Sequence, residues 1–230
     1  MKEKSTRRRV WKIILLIVFS LISAALIAGG VFALLGWNMH REAVQTRPVR
    51  QVYAELSAEE HFVTIDDLPE FYVNAVTAVE DRDFWGHVGI DPSAIVRALL
   101  HDIKAGSFAE GGSTITMQCA KNLWYTQEKR LERKTAEIFT AFEIEDKLSK
   151  EQIFELYVNT IYFGSNYYGI YAASQGYYGV PPEQLTDEQC AVLAGLPQAP
   201  SVYSPDVSPE LAEQRARQVL AAMRECGYIE

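Results

Sequence analysis

The hydrophobic pattern changes character once, early in the chain. From Ile13 to Leu35 the sequence IILLIVFSLISAALIAGGVFALL carries no charge, and the next charged residue is Arg41. At a rise of ~1.5 Å per residue such a run covers the ~30 Å hydrocarbon core of a bilayer. Residues 13–36 therefore read as one transmembrane helix behind a short tail, 1–12. Residues 37–50 are polar and read as a linker, and Val49 to Leu56 reads as a short extended piece. Beyond that point helix signals follow one another. Asp67-Leu68-Pro69 opens a helix reaching Glu80, and Asp91-Pro92 opens another with Ile95, Leu99 and Ile103 on one stripe. A long helix beginning at Lys129 places Leu131, Ile138 and Phe142 on its apolar side. Ser149 with Gln152 and Thr186 with Gln189 have capping-box spacing, and Ser208-Pro209 starts a last helix ending near Gly227. No internal repeat is present. The pattern predicts a mainly α domain over 51–230.

Composition refines this picture. With 48% hydrophobic and 23% charged residues among 230, the chain buries one core of moderate size. Its net charge of -8 hides two regions of opposite sign. Residues 1–12 hold six cations against Glu3, a surplus of five, so the remainder carries thirteen negative charges net. An acidic body repels phosphates, which argues against a nucleic-acid partner. The basic tail before the apolar run places the N-terminus in the cytoplasm and the domain outside, single-pass in the plasma membrane, with Trp11 and Trp37 as interfacial anchors. A cleaved signal peptide is the alternative, since Ser23-Ala24-Ala25 suits cleavage, but the run is longer than the usual apolar core of a signal. The anchor is expected to add nothing to the core of the domain, which should fold from Asn38 onward. Cys119, Cys190 and Cys226 have no zinc-site spacing and read as free or buried thiols.

Candidate chemistry gathers in three clusters. The first, Ala78 to Gly89, crowds Glu80, Asp81, Asp83, Phe84, Trp85 and His87 at the end of an apolar helix. A carboxylate beside apolar groups has its pKa raised toward the range of a general base; the plain alternative is helix-end surface charge with a structural histidine. In the second, Glu110 to Asn122, two glycines precede Ser113 and Thr114, either of which can cap a helix whose free amides favour an anion. Thr114, Gln118 and Lys121 then share one face. Gly-x-x-x-x-Gly-Lys-Ser/Thr is absent, so this is no nucleotide loop; a capped helix after an ordinary Gly-Gly turn is the plain alternative. The third, Lys129 to Glu137, spaces Arg133 and Lys134 four and three residues before Glu137, as an intrahelical ion-pair ladder also would.

In order along the chain, Glu80-Asp-x-x-Phe84-x-x-His87-x-Gly89, Gly111-Gly-Ser-Thr-Ile-Thr116, Lys121-Asn122, Arg133-Lys-x-x-Glu137 and Glu155-x-Tyr157-x-Asn159 resemble the signature motifs of the peptidoglycan glycosyltransferases, the transglycosylase family of penicillin-binding proteins. The likeness continues through Ile161-Tyr-Phe-Gly164 and Leu193 to Pro200, spanning about Tyr53 to Pro205. Met117 stands where the family often has Gln, and Lys129 where it often has Arg, losing a bidentate grip on phosphate.

The resemblance implies a lysozyme-like, mainly helical fold and polymerisation of lipid II into glycan strands with release of undecaprenyl diphosphate. By carry-over, Glu80 is the catalytic base and Glu137 the second catalytic carboxylate. Asp81, Phe84, His87, Ser113, Thr114, Gln118, Lys121, Asn122, Lys129, Arg133, Lys134 and Asn159 are the substrate-binding set. No cofactor is bound permanently; a divalent cation, Mg or Mn, assisting the diphosphate is compatible, although no ligand set is legible. Partners implied are lipid II, the growing strand, membrane lipid and other cell-wall synthesis proteins.

Two other classes compete. A lytic transglycosylase or lysozyme also uses a Glu on a helical fold, but needs no diphosphate seat and so no Lys121, Arg133 and Lys134. A non-catalytic membrane scaffold needs neither Glu80 nor Glu137. A penicillin-sensitive transpeptidase is not expected, because neither Ser-x-x-Lys nor Lys-Thr-Gly occurs and little length follows Pro205.

Overall fold

The first helix does not stop where its apolar run ends. In the computed structural model, which describes residues 2–94, 112–126 and 130–230, α1 continues unbroken over Lys2–Thr46. Most of the expected linker is thus helical. Within α1, Trp11–Thr46 is long and apolar enough to cross a membrane, and its most apolar window is not buried by the rest of the chain. Nothing after Arg41 breaks the helix until Pro48, whose ring suits a helix start and not an interior.

Pro48 instead caps α2, Val49–Leu56. The extended piece expected there is a helix, and the reason lies in its spacing. Val49 and Val52 are buried, with Tyr53 and Leu56 packed against the same core, a period of three and four in place of two. Helices α3 (Glu70–Glu80), α4 (Ile115–Trp124), α5 (Leu131–Lys147), α6 (Lys150–Thr160), α7 (Ile170–Tyr178), α8 (Asp187–Gly195), α9 (Pro200–Tyr203) and α10 (Pro209–Glu225) follow. Among the described residues there is no strand, only an isolated bridge between Tyr162 and Tyr168. The expected boundaries at Glu80, Ser149, Thr186 and Ser208 agree with these ends, and both capping boxes are formed. Residues 92–94 are helical, as Asp91-Pro92 predicts; the stripe of Ile95, Leu99 and Ile103 lies outside the described residues, as do Glu110, Gly111 and Lys129.

Helix α6 sits at the centre, with Ile153, Phe154, Glu155, Leu156, Tyr157 and Val158 all buried in succession. A helix buried on every side needs neighbours on every side, and α2, α4, α5 and α7 supply them. On the other side of the domain, α3 packs against α8 and α10. This leaves the C-terminal end of α3 between α10 and the start of α4.

Helix α5 corrects the stripe expected of it. Leu131 and Phe142 are exposed, whereas Ala136, Glu137, Thr140, Ala141 and Ile144 are buried. The buried face carries polar groups because α1 lies along it. Thr140 meets His40 Nδ1 at 3.0 Å, and the Thr135 hydroxyl donates to the carbonyl of Phe32 at 2.9 Å. Trp37 packs edge-on against Phe139. Gly36 is required at this crossing: a Cβ there would lie 2.0 Å from Thr135 Oγ1 and 2.9 Å from the backbone nitrogen of Ala136.

The anchor helix is therefore part of the domain's packing, contrary to the sequence expectation. A chain beginning at Asn38 loses Phe32, Gly36 and Trp37 together. We expect it to be destabilised by about 2 kcal/mol, the order of one large apolar contact. That corresponds to a melting temperature lower by roughly 4–8 °C for a domain of this size. A chain beginning at Val31 should melt near the full-length value; equal melting of the two truncations would show that the crossing contributes nothing.

Candidate active site

Glu80 is the last residue of α3, where the chain leaves the core. Ala75, Val76, Thr77 and Ala78 before it are buried, so the helix end is held rigidly while the carboxylate emerges partly exposed. Its Oε2 accepts a hydrogen bond from Gln118 Nε2 at 2.8 Å. Burial pushes the Glu80 carboxyl above the ordinary carboxylate range; the Gln118 hydrogen bond and the charges of Arg215 and Lys121 oppose this, and Asp81 adds to it. A carboxylate raised by its surroundings but held ionisable by cations suits proton abstraction near neutral pH.

Asp81 has a different task. Its Oδ2 accepts from the backbone N–H of Ile115 at 2.9 Å, at the first turn of α4, and faces His87 Nε2 at 2.9 Å. The other ring nitrogen, Nδ1, accepts from the Gly89 N–H at 3.2 Å. With Nδ1 accepting from Gly89, it is Nε2 that donates to Asp81. The Thr114 hydroxyl closes the arrangement, donating to the Gly89 carbonyl at 2.6 Å and accepting from Met117 N at 3.1 Å as the N-cap of α4. Asp81, His87 and Thr114 thus clamp the loop after α3 onto the start of α4. Asp81→Ala should lower stability by about 3 kcal/mol, since it strands a buried N–H and the imidazole. The melting temperature would fall by roughly 6–12 °C; an unchanged melt would show the clamp to be idle.

The cationic cluster forms on α5. Glu137 is 1% exposed and pairs with Arg133 Nη1 and, at 3.2 Å, with Lys134 Nζ. Lys134 also donates to the Ser113 hydroxyl at 2.6 Å, which ties the third sequence cluster to the second. Ser113 and Thr114 line, with Glu80, Asp81, Arg82, Asp91, Arg215 and Gln218, a cleft of ≈ 410 Å³. One cleft therefore runs from the raised carboxyl of Glu80 to the serine that holds Lys134. Lys121, on the last turn of α4, favours the ionised form of Glu80 electrostatically.

Other residues singled out in the sequence lie differently. Phe84 has no exposed surface and packs on Trp85, His87 and Phe154, with the Lys150 ammonium 4.5 Å from its ring centroid; it supports the loop from beneath. Asn159 spends its amide on the backbone. Its Oδ1 accepts from Val63 N at 2.9 Å and its Nδ2 donates to the carbonyls of Val63 and Glu155 at 2.8 and 2.9 Å. Asn122 is partly buried on α4. Arg215 was not singled out by the sequence reading; its signal is a cation inside the apolar stripe Ala212, Ala216, Val219 and Met223 of α10.

Residues 46–224 match the Transglycosylase family, a span that takes in every element from α2 to α9, all but the last residue of α10, and both carboxylate clusters. The chain belongs to the transglycosylase family. Over 180 residues it is 48% identical to penicillin-binding protein 1A of Aquifex aeolicus, covering 78% of this chain and 25% of that protein. It is 44% identical over 164 residues to penicillin-binding protein 1A of Pseudomonas aeruginosa, covering 71% of this chain and 20% of that one. The chain thus spans about a quarter or less of the length of these relatives. A crystal structure of penicillin-binding protein 1A from Haemophilus influenzae aligns with 74% of this chain and 16% of that one, at 24% identity and a TM-score of 0.42. The residues of the matched span divide into a clamp, Asp81, His87 and Thr114, that fixes the loop after α3 against α4, and a second set, Glu80, Gln118, Lys121, Ser113, Lys134, Arg133 and Glu137, whose polar atoms gather about the cleft and the cationic cluster.

Proposed function

We propose that this chain polymerises lipid II, joining the growing glycan strand to the incoming disaccharide through β-1,4 bonds and releasing undecaprenyl diphosphate. The acceptor GlcNAc 4-hydroxyl oxygen attacks the donor MurNAc anomeric carbon and inverts it. Glu80 takes the hydroxyl proton, the bond from the anomeric carbon to the diphosphate oxygen breaks, and the diphosphate leaves with the electron pair. Charge on that leaving group grows in the transition state, so Lys121, Arg133 and Lys134, with the N-terminal amides of α4, stabilise it more than the ground state. Glu137 orders two of those cations.

The observation that carries this reading is the join between base and cations. A partly buried Glu80 opens on the same cleft as Ser113, which holds Lys134, which is paired in turn with Glu137. Hydrolysis of a glycan has no use for such an anion seat beside its acid. Glu137 is already committed to two cations. The apolar stretch of α1, the basic residues at its start and the positive-inside rule support a single-pass protein with its N-terminus cytoplasmic and the domain outside.

The test is incubation of the purified full chain with lipid II in vesicles, with polymer and undecaprenyl diphosphate followed together. Equal accumulation of linkages and diphosphate is expected. Cleavage of preformed glycan without diphosphate release, or no turnover of lipid II, would overturn the reading.

A further inference from the structure

Among the described residues, Arg215 is a buried arginine without a carboxylate partner. It is 8% exposed and forms no ion pair among the described residues. Its place is nevertheless built. Nε donates to the carbonyl of Gly195 at 3.2 Å, Nη1 donates to Gln218 Oε1 at 3.0 Å, and the guanidinium carbon lies 5.9 Å from the Tyr203 ring centroid. Gly195 is part of the seat, since a Cβ there would lie 2.7 Å from Arg215 Cγ. Burying an arginine costs free energy unless its charge is used. Here the charge meets the cleft: Arg215 and Glu80 line it from the packed helices α10 and α3.

We propose that Arg215 is a positioning residue for the base, a fixed cation that keeps Glu80 a carboxylate while substrate is bound, without touching the reacting atoms. This rests on the polymerase reading above. The groups facing Glu80 show why a second cation is needed. Asp81 adjoins it and disfavours its charge, and the phenols of Tyr72 on α3 and Tyr157 on α6, fully buried and without hydrogen-bond partners among the described residues, face that charge without donating to it. From α4 come Gln118 and Lys121, and from α10 Arg215. From α8, Cys190 faces Tyr72. Arg82 and Asp91 stand at the walls of the cleft.

Of the two cations that favour ionised Glu80, Lys121 is also assigned to the diphosphate. Once that anion binds, it offsets the lysine's field and its own charge opposes ionisation of the base. Arg215 is committed to the Gly195 carbonyl and to Gln218, and its guanidinium is charged at every working pH. It alone keeps its effect through the catalytic cycle.

The experiment compares pH profiles of the full-length chain turning over lipid II, for wild type, Arg215→Gln, Arg215→Lys and Gln218→Glu. The acidic limb of kcat reports the base in the substrate complex and that of kcat/KM the base in free enzyme. Arg215→Gln should move the acidic limb of kcat upward by about one pH unit, the order expected for removing one nearby opposite charge, and move that of kcat/KM less. Arg215→Lys should restore most of the shift. Gln218→Glu leaves the arginine seated but offsets its charge, so it should shift the limb in the same direction even if Arg215→Gln does not fold. A uniform loss of rate with the limb in place, or a lysine variant that behaves as the glutamine one, would show Arg215 to be only a strut between α8 and α10. If wild type itself forms no polymer, the polymerase reading fails instead.

Discussion

Glu80→Gln is expected to abolish polymerisation while leaving the helical fold in place. The amide is nearly isosteric and can still accept from Gln118, but it cannot take the acceptor's proton. Loss of a general base typically costs about 10² to 10⁴ in rate, roughly 3 to 5 kcal/mol of barrier. The same substitution should not lower stability at neutral pH. Burial raises the Glu80 carboxyl in the folded state, so the folded chain holds that proton more tightly than the unfolded one. Stability therefore falls as pH rises from the unfolded carboxyl value of about 4.3 through the folded one. Glutamine escapes this, and its melting temperature should equal or exceed wild type at pH 7, the difference vanishing below about pH 4. Turnover above about a tenth of wild type would move the base elsewhere. Asp81 is poorly placed to replace it, with Oδ2 already engaged by Ile115 and His87.

Lys134→Ala should have the next largest effect, and it should fall on kcat. The ammonium bridges Ser113 and Glu137, so its removal deletes a positive charge and unties α5 from the start of α4. Loss of one preorganised donor to a developing anion costs about 10² to 10³ in kcat. Glu137 keeps Arg133 as its partner, which limits the structural damage. Lys121→Ala should act in the same direction without that structural component. If either variant raised KM with kcat unchanged, its lysine would be a uniform binding group and the transition-state role would be wrong.

These two residues show how far the sequence could be read. Glu80, Lys121, Lys134 and Glu137 are legible because each lies in a local run whose spacing fixes a helix face or end, and helix geometry is a short-range property. Within the same runs, periodicity could not separate the residues that line the cleft from those that clamp its walls. Asp81 and His87 look like reactive groups in sequence, and only their hydrogen bonds to Ile115 and Gly89 place them in the clamp. Arg215 was missed because its meaning depends on α3 and α10 packing together, a contact between opposite ends of the domain. Gly36 was missed for a related reason. Inside an apolar run it resembles Gly29 and Gly30, which have nothing near them, and only the crossing with α5 distinguishes it. Val49 to Leu56 is a helix and not the expected extended piece because eight residues with five apolar positions satisfy either period loosely, and burial of Val49 and Val52 decides for the helix.

The unbroken course of α1 into its crossing with α5 also sets a distance. A flexible leash would let the cleft sample many heights and tilts above the bilayer, whereas a single helix clasped at Gly36 and His40 is a post. With residues 13–36 in the membrane, the crossing sits at the bilayer surface, and Thr46 stands roughly 15 Å beyond Gly36 at 1.5 Å per residue. An enzyme so mounted works at one elevation and one azimuth relative to its own anchor. On the proposed activity, prenyl-linked substrates confined to the same sheet of lipid would meet it after a search in two dimensions, already presented at the height at which the cleft is fixed.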